Sequence, residues 1–371
     1  MKNYKRLLGL VLAFAMFVSL IACSGKESTS SEAPSDPSAS TDSAGSESDD
    51  YPTVTWKIAH SAQDGGSSDL ACEAVKAYVE EKTGGKITID LYPAGQLGAD
   101  MAQIESVQLG DLEFSSIGPY GLATSTAVWG TLLWDIPYFY PMEWDNCQDY
   151  MLLFDDPAWQ DVYGTQLAAK GIHTMGVTME GDYVIFSNKP VHDTSDLKGM
   201  KVRAAENAMV VDTLTEWGAQ PTVVNMFELY TALEQGMIDA AYVAESVAHQ
   251  FTLENACDYV TYFEGNPGPV MLICSEEFYN SQTPLVQELI DEMGQIYMEK
   301  GFEAYAEKAP EYLQAFEDAG CEVIWLTDEE REQWKANTSN TYATWKEKVG
   351  SDLFDQAAEY IETVIKPAME D

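Results

Sequence analysis

Three arginines stand against seventeen lysines in this chain, at Arg6, Arg203 and Arg331. Arg331 sits in Asp328-Glu329-Glu330-Arg331-Glu332, a charge run that reads as an exposed helix face. Arg203 sits in Lys201-Val202-Arg203-Ala204-Ala205, at the end of a predicted strand, where an open α/β sheet places its ligands. A guanidinium there can grip a carboxylate through two parallel hydrogen bonds, a geometry lysine cannot reproduce. The competing reading is a structural salt bridge to one of the chain's many acids. Other chemistry finds no support. His60, His173, His192 and His249 form no H-E-x-x-H or H-x-H pattern, and no metal site is expected. No G-x-S-x-G elbow is present, and Gly84-Gly85-Lys86 runs into Ile87, which is not a phosphate loop. The acidic pairs Glu80-Glu81 and Glu329-Glu330 read as solvated helix faces, so neither catalysis nor a cofactor is expected.

The charge balance narrows the partners. Among 371 residues, 61 acids face 20 bases for a net charge of -41, and no basic stripe is visible, which excludes nucleic acid. With 46% hydrophobic and 11% aromatic residues, the chain can fill one large or two medium cores. Its six cysteines, at 23, 72, 147, 257, 274 and 321, lack any C-x-x-C pair or zinc spacing. Setting Cys23 aside leaves an odd five, read mainly as buried small hydrophobes, as for Cys274 in Val270-Met271-Leu272-Ile273. Unpaired thiols in an exported chain fit a reducing or anaerobic habitat.

Export itself is read from the N-terminus. Lys2, Lys5 and Arg6 precede sixteen uncharged residues, Leu7 to Ala22, the pattern of a secretory signal too short to span a membrane comfortably. Leu20-Ile21-Ala22-Cys23-Ser24 resembles the lipobox of bacterial lipoproteins, which implies residues 1–22 as a lipoprotein signal peptide and Cys23 as a lipidated N-terminus. Acyl chains on Cys23 would hold the protein on a membrane without a spanning segment. Residues 23–50 then form a tether, with ten serines, Pro34, Pro37 and seven acids. The expected location is the outer face of the cytoplasmic membrane or the periplasm, with the body at residues 51–371.

Strands and helices alternate in that body. Val54 to His60 reads as a strand, followed by a helix carrying Leu70, Val75, Tyr78 and Val79 at helical spacing. Lys86 to Tyr92, a helix from Met101 to Gly110 and Leu112 to Ile117 continue the pattern, which implies parallel pairing with right-handed crossovers. Later strands are expected at Ile172–Val177, Tyr183–Ser187, Lys201–Ala204, Met237–Ala241 and Val270–Cys274, with helices near 142–170, 207–217 and 228–235. Residues 283–318 and 327–368 read as helical, the former interrupted at Pro310. The fold class is α/β, two lobes joined by a hinge, with a long C-terminal helix. Lobe 1 is placed at about 51–175 and lobe 2 at about 176–264, each completed by part of 265–371.

Several segments resemble, in order and spacing, the solute-binding proteins of TRAP (tripartite ATP-independent periplasmic) transporters. They are Tyr92-Pro93-Ala94-Gly95-Gln96-Leu97-Gly98, Val107-Gln108-Leu109-Gly110, Leu197-Lys198-Gly199-Met200-Lys201-Val202-Arg203, Gly218-Ala219-Gln220-Pro221-Thr222, and Glu228 through Asp239. The resemblance covers roughly residues 54 to 365. It implies a two-lobed, periplasmic-binding-protein-like body of the C4-dicarboxylate-binding type that closes over a small organic acid and delivers it to permease subunits in the membrane. It also implies that Arg203 pairs with the ligand carboxylate.

Departures from the family pattern bear on the ligand. Where many relatives carry a second arginine, this chain has Tyr183; where they carry an asparagine after the aspartate, it has Asp239-Ala240-Ala241-Tyr242-Val243-Ala244. The usual aromatic ahead of Tyr230 is replaced by Met226 or displaced to Phe227. A monocarboxylate with an apolar or aromatic portion is therefore expected. His60, Gln63 and Asp64 after the first strand, and Ser116 to Tyr120 after the third, should face the cleft. The candidate ligand set is completed by Asp100, Gly118, Asn207, Tyr242 and Val243. The aromatic cluster of Trp129, Trp134, Tyr138 and Phe139 is expected to be core between the lobes. The alternative function is a sensor module feeding a membrane receptor.

Overall fold

The computed structural model describes residues 50–141 and 152–369. The expected signal peptide, lipidated Cys23 and nearly all of the tether lie outside the described residues, as does Cys147.

Nine strands form one mixed sheet: β1 (Val54–His60), β2 (Ile87–Tyr92), β3 (Phe114–Ile117), β4 (Ile172–Ser187), β5 (Lys201–Ala204), β6 (Gln220–Val223), β7 (Ala240–Ala244), β8 (Tyr259–Ser275) and β9 (Glu322–Trp325). The order is β2-β1-β3-β8-β4-β7-β5-β6, with β9 also on β8. The helices are α1 (Ser67–Lys82), α2 (Asp100–Leu109), α3 (Pro119–Thr126), α4 (Pro157–Trp159), α5 (Ala208–Glu216), α6 (Leu229–Glu234), α7 (Glu245–Gln250), α8 (Glu276–Ser281), α9 (Pro284–Ala319), α10 (Asp328–Ala336), α11 (Ser339–Val349) and α12 (Ser351–Tyr360). The expected parallel pairing is present: β1 pairs in parallel with β2 and β3, and β5 in parallel with β6 and β7.

Two strands bind the halves together. β4 and β8 are 16 and 17 residues long and run antiparallel to each other. The first half of β4 and the end of β8 complete the sheet of β1 to β3, where β3 pairs with Met271–Cys274. The second half of β4 and the start of β8 complete the sheet of β5 to β7, where Tyr183–Ser187 pairs with β7. The strands expected separately at Ile172–Val177 and Tyr183–Ser187 are thus one strand, and the expected lobe break after residue 175 falls inside it. Its register shifts against β8 at Met179/Asp182 and Asp182/Val184. There Gly181 (φ +96°) and Glu264 (φ +48°) take left-handed conformations, and Pro267 and Pro269 supply no ladder donors.

Each half has its own core. Trp56, Ile58, Val75, Phe114, Leu289 and Tyr297 pack in one; Phe186, Leu233, Val260, Tyr262, Tyr312 and Phe316 pack in the other. α9 serves both, because 36 residues at helical rise reach about 54 Å. Pro310 does not interrupt it: Pro310 and Ala306, whose carbonyl loses its donor, both face solvent, which can hydrate that carbonyl. Trp134 packs in the core edge-on to Trp159 and tilted against Tyr163, whereas Trp129 lies partly exposed against Trp345. Cys72, Cys257, Cys274 and Cys321 are buried free thiols.

α9 reaches β4 because glycines on the helix leave room for the strand. A Cβ on Gly294 would lie 2.1 Å from the Met175 carbonyl oxygen, and one on Gly301 would lie 2.2 Å from Thr178 Oγ1. Backbone blocks the first site, so Gly294→Ala must part the helix from the strand. The expected loss is about 1–3 kcal/mol, measured by urea unfolding; an unchanged midpoint would mean the helix shifts freely.

Candidate functional site

The carboxyl ends of the strands in both halves meet at the β4–β8 irregularity and enclose a cleft. It holds about 800 Å³ of atom-free space, counting its open mouth. β3 and the start of α3 supply Ser116, Ile117, Gly118, Pro119 and Tyr120; β5 supplies Arg203, β7 Val243 and Ala244, and β8 Gly268, Pro269 and Val270. A groove of about 590 Å³ past Met226 and Phe227 shares Ser61, Asp100, Tyr120 and Arg203 with it.

Arg203 is 6% exposed and sits at the end of β5, between the ends of β6 and β7. Its Nε donates to the Val224 carbonyl at 3.1 Å and its Nη1 to the Tyr242 carbonyl at 3.2 Å. These bonds aim the guanidinium without neutralising it. Among the described residues no carboxylate forms an ion pair with Arg203, so the salt-bridge reading gains nothing here. Burial pulls its pKa below the usual arginine value, opposed by the neighbouring Tyr183 and Tyr120. Tyr183 stacks on Tyr242, with ring centroids 4.8 Å apart, and forms the wall beside the arginine.

Across the cleft, Asp100 accepts from Ser61 Oγ at 2.8 Å and from the Gly118 amide at 3.0 Å; burial raises its pKa, and these bonds offset part of the rise. It thereby ties the start of α2 to the turn into α3. Glu180, on β4, accepts from Ser68 Oγ and from Ser246 Oγ at 2.8 Å. The lobes touch at the mouth, where the Gln63 amide donates to Gln250 Oε1 at 2.8 Å and the Phe227 ring lies against Gly95.

The structure brings Arg203, Tyr183, Asp100, Gly118, Met226 and Val243 onto one cleft, with Phe227 on the adjoining groove. Other sequence-based candidates lie elsewhere. His60 is fully buried, with Nε2 3.3 Å from Asp69 Oδ1 but not aligned as a hydrogen bond; it points under α1 rather than into the cleft. Asp64 is exposed on the loop ahead of α1. Gln63 makes the interlobe bond but does not line the cleft. Asn207 is spent as the cap of α5, its side chain accepting from the Met209 amide at 3.0 Å. Tyr242 is 1% exposed and faces the core behind Tyr183, contributing only its carbonyl to Arg203. Sequence reasoning missed Asp135, Glu180, Ser61, Ser68 and Gln250, which all line the cleft. Asp135 alone had a visible signal, as an acid inside the apolar run Leu132-Leu133-Trp134-Asp135-Ile136.

Two α/β lobes closed over a cleft with one buried arginine give the architecture of a solute-binding protein. Residues 58–348 match bacterial extracellular solute-binding protein family 7, DctP, and the chain belongs to that family, whose members bind substrates rather than transform them. It is similar to the C4-dicarboxylate-binding protein DctB of Bacillus subtilis, 26% identical over 82% of this chain and 86% of that one. It is also similar to the ectoine-binding periplasmic protein TeaA of Halomonas elongata, 24% identical over 81% and 88%. Among solved structures, a TRAP periplasmic solute-binding protein from Shewanella oneidensis with bound succinate superposes with a TM-score of 0.75, at 22% identity over 83% of this chain and 99% of that one. No helix among the described residues is long and apolar enough to cross a membrane.

Behind the cleft, Glu245 at the start of α7 accepts hydrogen bonds from the hydroxyls of Tyr262, at 2.7 Å, and Tyr305. Burial nevertheless pushes its pKa up to about 7. Between the unfolded value near 4.5 and about 7 the native state holds a proton that the unfolded chain releases, so this residue's contribution falls as pH rises through that window. Glu245→Gln should therefore gain stability relative to the parent between pH 5 and pH 8, by on the order of 3 kcal/mol. Urea unfolding at the two pH values checks this, and a pH-independent difference would contradict it.

Proposed function

We propose that this protein captures a small carboxylate outside the cytoplasm and hands it to the membrane permease subunits of a TRAP transporter. The observation that carries the reading is Arg203: a guanidinium 6% exposed, oriented by two main-chain carbonyls, open to the cleft and without a carboxylate partner among the described residues. A ligand carboxylate would supply the missing counter-charge. Removing one member of such a buried pair costs about 3–5 kcal/mol, enough to make ligand and closure mutually dependent.

The family and its relatives support the carrier role. Their names, which range over C4-dicarboxylate, ectoine and 2,3-diketo-L-gulonate binding, leave the particular acid open. One arginine, with Tyr183 beside it and Ile117, Met226, Val243, Val247 and Val270 around it, favours a single carboxylate on a partly apolar body. Closure would be a rotation of the lobes, with residues near the break at 175/176 and the bulged stretch of β4 and β8 as hinge, and ligand contacts to both lobes drawing an open–closed equilibrium toward closure. The basic leader, the apolar run and Cys23 support attachment by lipid through the serine-rich tether.

Thermal unfolding against aliphatic, aromatic, keto and sugar carboxylates tests the ligand class. A bound acid at a hundred times its Kd adds about 2.7 kcal/mol, a shift of several degrees, and Arg203→Ala should abolish it. Shifts from uncharged solutes alone would make Arg203 structural and end the carboxylate reading. For the anchor, Cys23→Ser expressed in a lipoprotein-processing host should move from the membrane to the soluble fraction; an unchanged distribution would refute lipidation at Cys23.

A further inference from the structure

The cleft contains more carboxyl groups than a receptor for a simple acid requires. Its lining includes three acids, Asp100, Asp135 and Glu180, against the single base Arg203. Two of the three are occupied by the protein: Asp100 by Ser61 and the Gly118 amide, Glu180 by Ser68 and Ser246. Asp135 differs. It ends the short helical turn Trp129–Asp135 and is 6% exposed. Its backbone carbonyl accepts from Asn266 Nδ2, but its buried Oδ1 has no hydrogen-bond partner among the described residues.

The position is not explained by Arg203. Burial raises the Asp135 pKa, and although Asp135 and Arg203 line the same cleft, they form no ion pair among the described residues. An anion at Arg203 alone would leave a buried carboxyl facing it from the same cleft, which is unfavourable unless something positive intervenes.

We propose that the cleft takes a zwitterion, a small molecule whose carboxylate pairs with Arg203 and whose protonated nitrogen is received by Asp135. This rests on the carboxylate reading above and deepens it. The alternative role for Asp135, a neutral acid donating a hydrogen bond to a second ligand oxygen, makes the opposite prediction for Asp135→Asn, since an amide keeps a donor but cannot carry the charge.

The test compares matched pairs by calorimetric titration at pH 7.5: leucine with 4-methylpentanoate, phenylalanine with 3-phenylpropanoate, and 4-aminobutyrate with butanoate. The expected result is a zwitterion bound about thirtyfold or more tighter than its deaminated partner, with Asp135→Asn erasing the difference while unliganded Asp135→Asn unfolds at or above the parent's midpoint. Deaminated acids binding as tightly as their partners, or a preference that survives Asp135→Asn, would overturn the proposal and leave the carboxylate carrier intact. Binding that survives Arg203→Ala would overturn both.

Discussion

A guanidinium removed from water needs acceptors on every side it presents, and the arrangement around Arg203 is governed by that need. β5 ends between β6 and β7, so the freed carbonyls of Val224 and Tyr242 are within reach of two of its nitrogens. Those bonds hold the side chain straight while leaving its charge uncompensated. The compensating group has to come from the cleft, and the cleft exists only because the second lobe covers it. Ligand, arginine and lobe closure are in this sense one electrostatic problem.

The proposed closure depends on the strands β4 and β8, which carry the chain through both lobes and pair with each other along the way. Antiparallel pairing on either side of the middle welds each strand into both lobes, while the register shifts between Met179 and Val184 leave the middle without a continuous ladder. Gly181 is needed there twice, for its φ of +96° and because a Cβ would lie 2.7 Å from Glu245 Oε1. α9 braces the back of both halves, so any rotation must be absorbed in the bulge and at the ends of the strands rather than in the cores.

The pattern of elements was legible where hydrophobic periodicity is strong and unlegible where the chain uses exceptions. β1, α1, β3 and β5 follow alternating or helical spacing and lie within a few residues of where the sequence puts them. The first half of β8 was hidden by Glu264-Gly265-Asn266-Pro267-Gly268-Pro269, a run of turn residues that the fold spends on a bulge instead of a chain reversal. β6 carries Pro221 and escapes the same logic because it is an edge strand. At the site, Arg203 was readable from its rarity and the strand-end rule, and Ser116 to Tyr120 from that rule alone. His60 and Tyr242 misled because side chains alternate in direction along a strand, and proximity in sequence to a strand end does not say which face a side chain takes. Asp135 could have been read as the lone acid in an apolar run, but Glu180 could not stand out among 61 acids; only its burial in the folded chain separates it from the solvated majority.

The most direct test of this account is a crystal structure of the protein with a carboxylate that raises its unfolding temperature. The account predicts both ligand oxygens on the Arg203 guanidinium at about 2.7–2.9 Å, with the Val224 and Tyr242 carbonyl bonds retained and Tyr183 against the ligand. A carboxylate held by main-chain amides or a lysine elsewhere, with Arg203 still bonded only to those two carbonyls, would contradict it.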